Sequence, residues 1–177
     1  MVKEKYSVGE YERRFLLDKL PPGRTNPRYI VDHYVNETRL RLRTVSAGEN
    51  GDTDLKLGHK RRVVADDPTA IRCTSIYLDK TEFAVLSNLP GRRLVKTRWA
   101  IALGRWTGAV EVFEEALSGL VMLEVDLGDV ADLKAFEPPD WAGPEVTQSE
   151  AFTGAELAGR TWADVAETVD RMWAAEG

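Results

Sequence analysis

The sequence predicts an α+β fold dominated by antiparallel β structure: an eight-stranded closed β-barrel with flanking helices and a C-terminal helix. Strand-like runs follow one another up to about Leu127, and turn-forming residues join them as consecutive hairpins. Helical periodicity takes over only afterwards. About eight strands with few helices among them favour a closed or nearly closed barrel. A β-sandwich is the alternative at this point.

The strand candidates are runs of alternating or β-branched residues between turn signals. In chain order they are VGEYERRFLL, RYIVDHYV, ETRLRLRTV, DLKLGHKRRVV, IRCTSIYLD, RRLVKTRWAIAL, GAVEVFEEAL and GLVMLEVDLG. Loops or turns are predicted at 18–27, 46–53 and 65–68, where Pro, Gly, Asn and Asp concentrate. Between the fifth and sixth strands, Phe83 and Leu86 stand at helical spacing and predict one short helix.

The C-terminal part of the chain predicts a loop over 138–150 and an amphipathic helix over 161–175. Thr161 is the expected N-cap of this helix. One helical face carries an aromatic and aliphatic stripe, for which we expect core packing. At this length the whole chain, 1–177, is expected to form a single domain.

Composition excludes several classes of function. The chain has 177 residues, of which 43% are hydrophobic and 30% are charged, and its formal net charge is -5, so no long nucleic acid is expected as a partner. A single cysteine, Cys73, rules out an internal disulfide framework and fits a reducing cytoplasm. No apolar run approaches the ~18 residues of a membrane span, so no membrane partner is expected. We find no signal for an oligomeric state.

Basic residues recur at alternate positions of three strands in this acidic protein. For one strand alone, the simpler interpretation is that the arginines face water and the leucines face the core. The repetition favours a shared basic face instead. Its members are Arg39, Arg41, Arg43, Lys56, Lys96 and Arg98.

Carboxylates form a matching pattern on other strands. Glu10 and Glu12 share a face with Arg14, and Glu124 shares one with Asp126. If these faces point inward, the barrel interior holds many charges and needs a charged guest, because burying unpaired charges is prohibitive. Carboxylate oxygens suit Mg²⁺ or Mn²⁺, while Arg and Lys suit phosphate oxygens. The pattern therefore predicts a site for a metal ion and a polyphosphate.

These residues resemble the CYTH domain, or triphosphate tunnel metalloenzymes, whose signature is Glu-x-Glu-x-Lys on the first strand. Here the signature is Glu10-Tyr-Glu12-Arg-Arg14, and RLRLR, LKL, VKTRW, EVFE, GLVMLEVDL and PPDWAGPEVT follow in the family's order over about 6–158. Arg14 replaces the lysine and keeps its charge. The strand IRCTSIYLD lacks the family's second Glu-x-Glu, and Glu111 stands where the family has Asp.

The resemblance implies an eight-stranded tunnel that binds a triphosphate with a divalent metal, Mg²⁺ or Mn²⁺. In this sequence it assigns metal to Glu10, Glu12, Glu124 and Asp126, and phosphate to Arg14, Arg39, Arg41, Lys56, Lys96 and Arg98. We favour Glu111 or Glu114 as the catalytic group that orients water, with ion pairing as the alternative for both. The expected activity is hydrolysis of inorganic tripolyphosphate or a small organic triphosphate. A class IV-type adenylate cyclase and a non-catalytic polyphosphate- or nucleotide-binding module remain alternatives.

Overall fold

A computed structural model describes residues 7–47, 52–64 and 67–176; for 62–64 and 67–70 it describes the backbone only. Within these residues the chain forms eight β-strands and four α-helices. The strands are β1 Val8–Leu16, β2 Thr25–Val35, β3 Leu40–Ser46, β4 Thr53–Val64, β5 Asp67–Tyr77, β6 Gly91–Leu103, β7 Trp106–Phe113 and β8 Val121–Asp126. The helices are α1 Lys80–Leu86, α2 Val130–Ala135, α3 Gly154–Leu157 and α4 Trp162–Glu176, with 3₁₀ turns at Glu115–Leu117 and Glu150–Phe152.

The eight strands close into one antiparallel barrel in the order β1-β5-β4-β3-β2-β6-β7-β8. Closure occurs where β1 pairs with β8, with Glu12 opposite Asp126 and Arg14 opposite Glu124. The predicted barrel is confirmed, and the sandwich alternative is excluded. Because side chains alternate along each strand, this register turns one face of β1 and one face of β8 toward the same interior.

The outer face of β1 and its neighbours forms one apolar layer. Phe15 and Leu17 pack with Val110, Leu123 and Val125, all of them nearly inaccessible to solvent. Helix α2 and the segment behind it cover this layer through Leu133, Phe136 and Trp141. The opposite face of β1 is thereby left to the barrel interior.

The C-terminal segment fills one end of the barrel interior. Interior-facing Leu16, Leu94, Phe113 and Met122 form a second core with residues from the 3₁₀ turn, α3 and α4, namely Phe152, Leu157, Val165 and Val169. Gly154 lies so close to the Tyr34 hydroxyl that a side chain at this position would collide with it. We call residues 150–176 the plug. The predicted core role of the α4 stripe is confirmed.

Several element boundaries differ from the sequence prediction. Strand β2 begins at Thr25, inside the predicted loop, and α2 was not predicted. Helix α4 begins at Trp162, directly after the expected N-cap residue Thr161, and the Asp164 carboxylate accepts hydrogen bonds from the Thr161 N–H and hydroxyl. The predicted turns at 46–53 and 65–68 lie partly outside the described residues. No helix in the described ranges is long and apolar enough to cross a membrane.

The plug should contribute strongly to stability. Leu157 is completely buried in α3, so Leu157→Ala should lower the free energy of unfolding by about 2–5 kcal/mol. Urea unfolding measures this loss. Leu20→Ala, at a residue 46% exposed, should change stability by less than about 0.5 kcal/mol and serves as control. Equal losses in the two variants would mean that the plug does not pack as described.

Candidate active site

The barrel encloses a cavity of about 620 Å³. Among the residues that the structure describes, ten cationic and five acidic side chains line it, although the whole chain carries a net charge of -5. The cavity is therefore strongly positive within an acidic protein. Such a surplus in a partly enclosed space attracts anions, because the surrounding protein screens charges less than water does.

All six residues predicted to bind phosphate line the cavity: Arg14, Arg39, Arg41, Lys56, Lys96 and Arg98. Four further cations join them: Arg28, Arg43, Lys60 and Arg61. Arg14 differs from the rest, because its guanidinium donates to the main-chain carbonyls of Phe152 (2.9 Å) and Thr147 (3.1 Å). It therefore ties β1 to the chain that leads into the plug.

Asp32 on β2 braces the cations of β3. Its fully buried carboxylate accepts two hydrogen bonds from Arg43, at 2.6 and 2.7 Å, and lies 3.6 Å from Arg41. Burial alone would raise the pKa of Asp32, but the Arg43 hydrogen bonds and both guanidinium charges hold it below its ordinary value. Asp32 thus stays ionised and fixes both arginines toward the cavity.

Glu111 on β7 plays the same part for two cations of the adjacent strand β6. Its buried carboxylate accepts from Lys96 at 2.6 Å and from Arg98 at 2.8 Å. Arg98 also donates to Glu124 at 2.8 Å. Burial favours the neutral acid, yet Arg98 and Lys96 lower the pKa of both glutamates. The predicted catalytic candidate Glu111 therefore lines the cavity as a partner of two cations.

The four predicted metal ligands also line the cavity. Glu10 and Glu12 both accept from the Lys60 ammonium, at 2.8 and 3.1 Å. Burial and the nearby Glu124 charge raise the pKa of Glu12 to about 7. Asp126 is the most exposed of the four and lies opposite Glu12 in the β1–β8 pairing. Carboxylate charges thus crowd one another where β1 meets β8.

The structure does not bring Glu114, the other predicted catalytic candidate, to the cavity. Glu114 follows the end of β7 and has the opposite parity to Glu111. Its carboxylate accepts a hydrogen bond from the Thr97 hydroxyl, which alternates with the interior-facing Lys96 and Arg98. A role in orienting water inside the cavity is therefore not compatible with this position.

Sequence reasoning did not single out Asp32 or Lys60. Asp32 lies between Ile30 and Tyr34 on the face of β2 that lines the cavity, and a carboxylate between two large hydrophobic side chains was its signal. Lys60 shares the alternation of Lys56 on the predicted strand, but only Lys56 was included in the basic face.

Two buried donors in this cavity, the Nε atoms of Arg14 and Arg41, make no hydrogen bond within the part of the chain that the structure describes. Both side chains line the cavity. An unpaired buried N–H costs free energy that an acceptor would recover. Oxygen atoms of an anion in the cavity are suitable acceptors.

The fold and site define a class: a closed eight-stranded antiparallel barrel with a charged, anion-attracting interior. No protein-family model matches the chain. An inorganic triphosphatase of Nitrosomonas europaea is 28% identical over 153 residues, which are 84% of this chain and 96% of that protein. A crystal structure of an inorganic triphosphatase has a TM-score of 0.59 at 28% identity, covering 86% of this chain and 95% of the other. A conserved hypothetical protein of Pyrococcus furiosus shares the fold, with a TM-score of 0.50 at 15% identity over 71% of this chain and 83% of its own.

Removing the Asp32 charge should destabilise the barrel. Asp32→Asn leaves Arg41 and Arg43 without their buried counter-ion and should cost about 3–5 kcal/mol in urea unfolding. Because the pKa of Asp32 lies below its ordinary value, the loss should be similar from about pH 5 to 8 and shrink only in stronger acid.

The control is Glu115→Gln, which breaks the half-exposed pair with Arg93 and should cost less than about 1 kcal/mol. If Asp32→Asn were as mild as this control, Asp32 would not be the brace of the β3 cations.

Proposed function

We propose that this protein is a CYTH-type, divalent-metal-dependent triphosphatase that hydrolyses a phosphoanhydride bond of inorganic tripolyphosphate or a small organic triphosphate. The observation that carries the proposal is the cavity itself, where ten cations face five carboxylates. Similarity to the inorganic triphosphatase of Nitrosomonas europaea over most of both chains supports the reaction class. The order of charged motifs along the chain supports the family.

In this proposal, the cations of β3, β4 and β6 bind the phosphates. Arg41 is held by Asp32, whose Oδ1 lies 3.6 Å from the Arg41 Nε, and Lys96 and Arg98 are held in place by Glu111. Guanidinium groups bind phosphate oxygens through paired hydrogen bonds, and an ammonium binds them as a compact charge. Because their counter-ions already fix these side chains, little conformational entropy is lost when the substrate binds.

The acidic residues where β1 meets β8 fit a hard divalent cation in their chemistry. Glu10, Glu12, Glu124 and Asp126 offer only oxygen donors, which Mg²⁺ and Mn²⁺ prefer. Burial and the neighbouring charges of Glu124 and Glu10 raise the pKa of Glu12, and a bound cation would relieve the repulsion among these carboxylates. When bound, the metal would neutralise phosphate charge and polarise the reacting phosphoryl group.

Catalysis in such a site rests on positioning and on charge neutralisation, because phosphoryl transfer needs little covalent help from the protein. The chain's own cations hold the non-reacting phosphates and stabilise the charge that develops on the leaving group. Glu111 acts in this scheme by holding Lys96 and Arg98 at fixed positions. The plug closes one end of the interior, which limits the access of water.

Phosphate release tests the activity directly. With Mg²⁺ or Mn²⁺, the protein should release phosphate from tripolyphosphate, and ATP and thiamine triphosphate compare inorganic with organic substrates. Tight binding of tripolyphosphate without phosphate release in any divalent metal would contradict the hydrolase and leave a binding module. Formation of cyclic AMP from ATP would identify a cyclase instead.

Two substitutions should fail in different ways. Arg41→Ala removes a charge-assisted phosphate contact and should weaken tripolyphosphate binding by about 1.5–3 kcal/mol in calorimetry. Glu12→Gln keeps the size of the side chain but removes its carboxylate charge. It should therefore abolish phosphate release, while metal-free binding of tripolyphosphate stays intact or tightens.

Arg105→Ala is the matched control, because Arg105 is exposed outside the cavity and pairs with Asp132. It should leave both binding and turnover unchanged. If Arg41→Ala bound tripolyphosphate like this control, the cavity cations would not be the phosphate site.

A further inference from the structure

The Lys60 ammonium lies among the carboxylates assigned to metal. It donates to Glu10 at 2.8 Å and to Glu12 at 3.1 Å. A side-chain cation therefore already sits where β1 presents its two glutamates.

The neighbouring strand β5 supplies no carboxylate near this point among the side chains that the structure describes. Lys60 lies directly opposite Cys73 of β5 in the β4–β5 pairing. The described β5 side chains that line the cavity are those of Ile71, Cys73, Ser75 and Tyr77, and none of them is acidic. In the described part of the chain, the carboxylates proposed to bind metal are not drawn together into a preformed metal-binding group.

We infer that Lys60 is a tethered cation that occupies part of the metal site and competes with divalent ions for Glu10 and Glu12. This inference rests on the proposed function, because it concerns the same carboxylates. An ammonium neutralises carboxylate charge at hydrogen-bond distance, as a metal ion does, without needing a full coordination shell. The protein without substrate should therefore bind divalent metal weakly, and Lys60 should be a determinant of how tightly it does so.

Because of this competition, the protein should bind the metal preferentially together with the substrate. A triphosphate brings negative charge into the cavity, and Lys60 can turn from Glu10 and Glu12 to a phosphate oxygen. The carboxylates then become available to the metal that accompanies the phosphates. Lys60 thus couples metal binding to occupancy of the phosphate site.

The test measures Mn²⁺ binding to the whole protein without substrate, by electron paramagnetic resonance of the free ion. Lys60→Gln should bind Mn²⁺ about ten-fold or more tighter than the parent, because a unit charge beside the carboxylates is gone. Lys60→Arg keeps the charge and should resemble the parent.

Lys56→Gln is the matched control on the same strand, because Lys56 lines the same cavity but pairs with Asp54 at 3.0 Å. Its Mn²⁺ affinity should stay within about two-fold of the parent. Unchanged Mn²⁺ affinity in Lys60→Gln overturns the inference. An equal gain in Lys56→Gln does so too, since the effect would then come from the general potential of the cavity.

If Lys60→Gln does not fold, the double variant Lys60→Gln with Glu10→Gln preserves the local net charge and decides the matter. Mn²⁺ affinity equal to or tighter than the parent's supports the tethered cation, and weaker affinity refutes it. Phosphate release on the same preparations separates the two proposals. A parent that hydrolyses tripolyphosphate while Lys60→Gln binds Mn²⁺ no tighter refutes only the tethered cation. Tighter Mn²⁺ binding by Lys60→Gln, together with a parent protein that releases no phosphate, refutes only the hydrolase.

Discussion

Charged side chains inside a closed barrel must find partners, and the rest of this structure depends on that constraint. Isolated buried charges are prohibitively costly, whereas paired and hydrogen-bonded ones are tolerated. The barrel meets the constraint by placing single carboxylates between two cations: Asp32 between Arg41 and Arg43, and Glu111 between Lys96 and Arg98. These interior acids act as braces, so the surplus cations are held in position before any ligand arrives.

The two ends of the barrel interior differ, because the plug fills only one of them. Apolar residues of β1, β6, β7 and β8 meet the C-terminal helices at one end, and the charged side chains line the remaining cavity. Arg14 joins the two regions, since its guanidinium holds the Phe152 carbonyl while its Nε stays unpaired. Packing of the C-terminal segment and the charge of the site are therefore linked through one β1 side chain.

Alternation along strands made the barrel and most of the interior row predictable. A period of two places Glu10, Glu12 and Arg14 on one face whatever the tertiary contacts are, and hairpin turns then order the strands. Alternation alone could not predict contacts that depend on how the strands are staggered in a closed barrel. Lys60 of β4 reaches Glu10 and Glu12 of β1 although β5 lies between the two strands. Glu114 was the other candidate for orienting water, and its opposite parity to Glu111 places it outside the cavity.

The arrangement of cations also bears on the shape of the anion that fits. Basic side chains occur on β4, β3, β2 and β6, which are consecutive neighbours in the barrel, with Arg43 opposite Lys56 and Arg28 opposite Arg98. At the usual separation of paired strands, such a row runs about 14 Å along the wall. One phosphate group can meet only part of this row, whereas a linear chain of phosphates can meet several of its members at once. Because each further contact would add a charge-assisted hydrogen bond, we expect the wall to bind longer chains of linked phosphates more tightly, whatever organic group they carry.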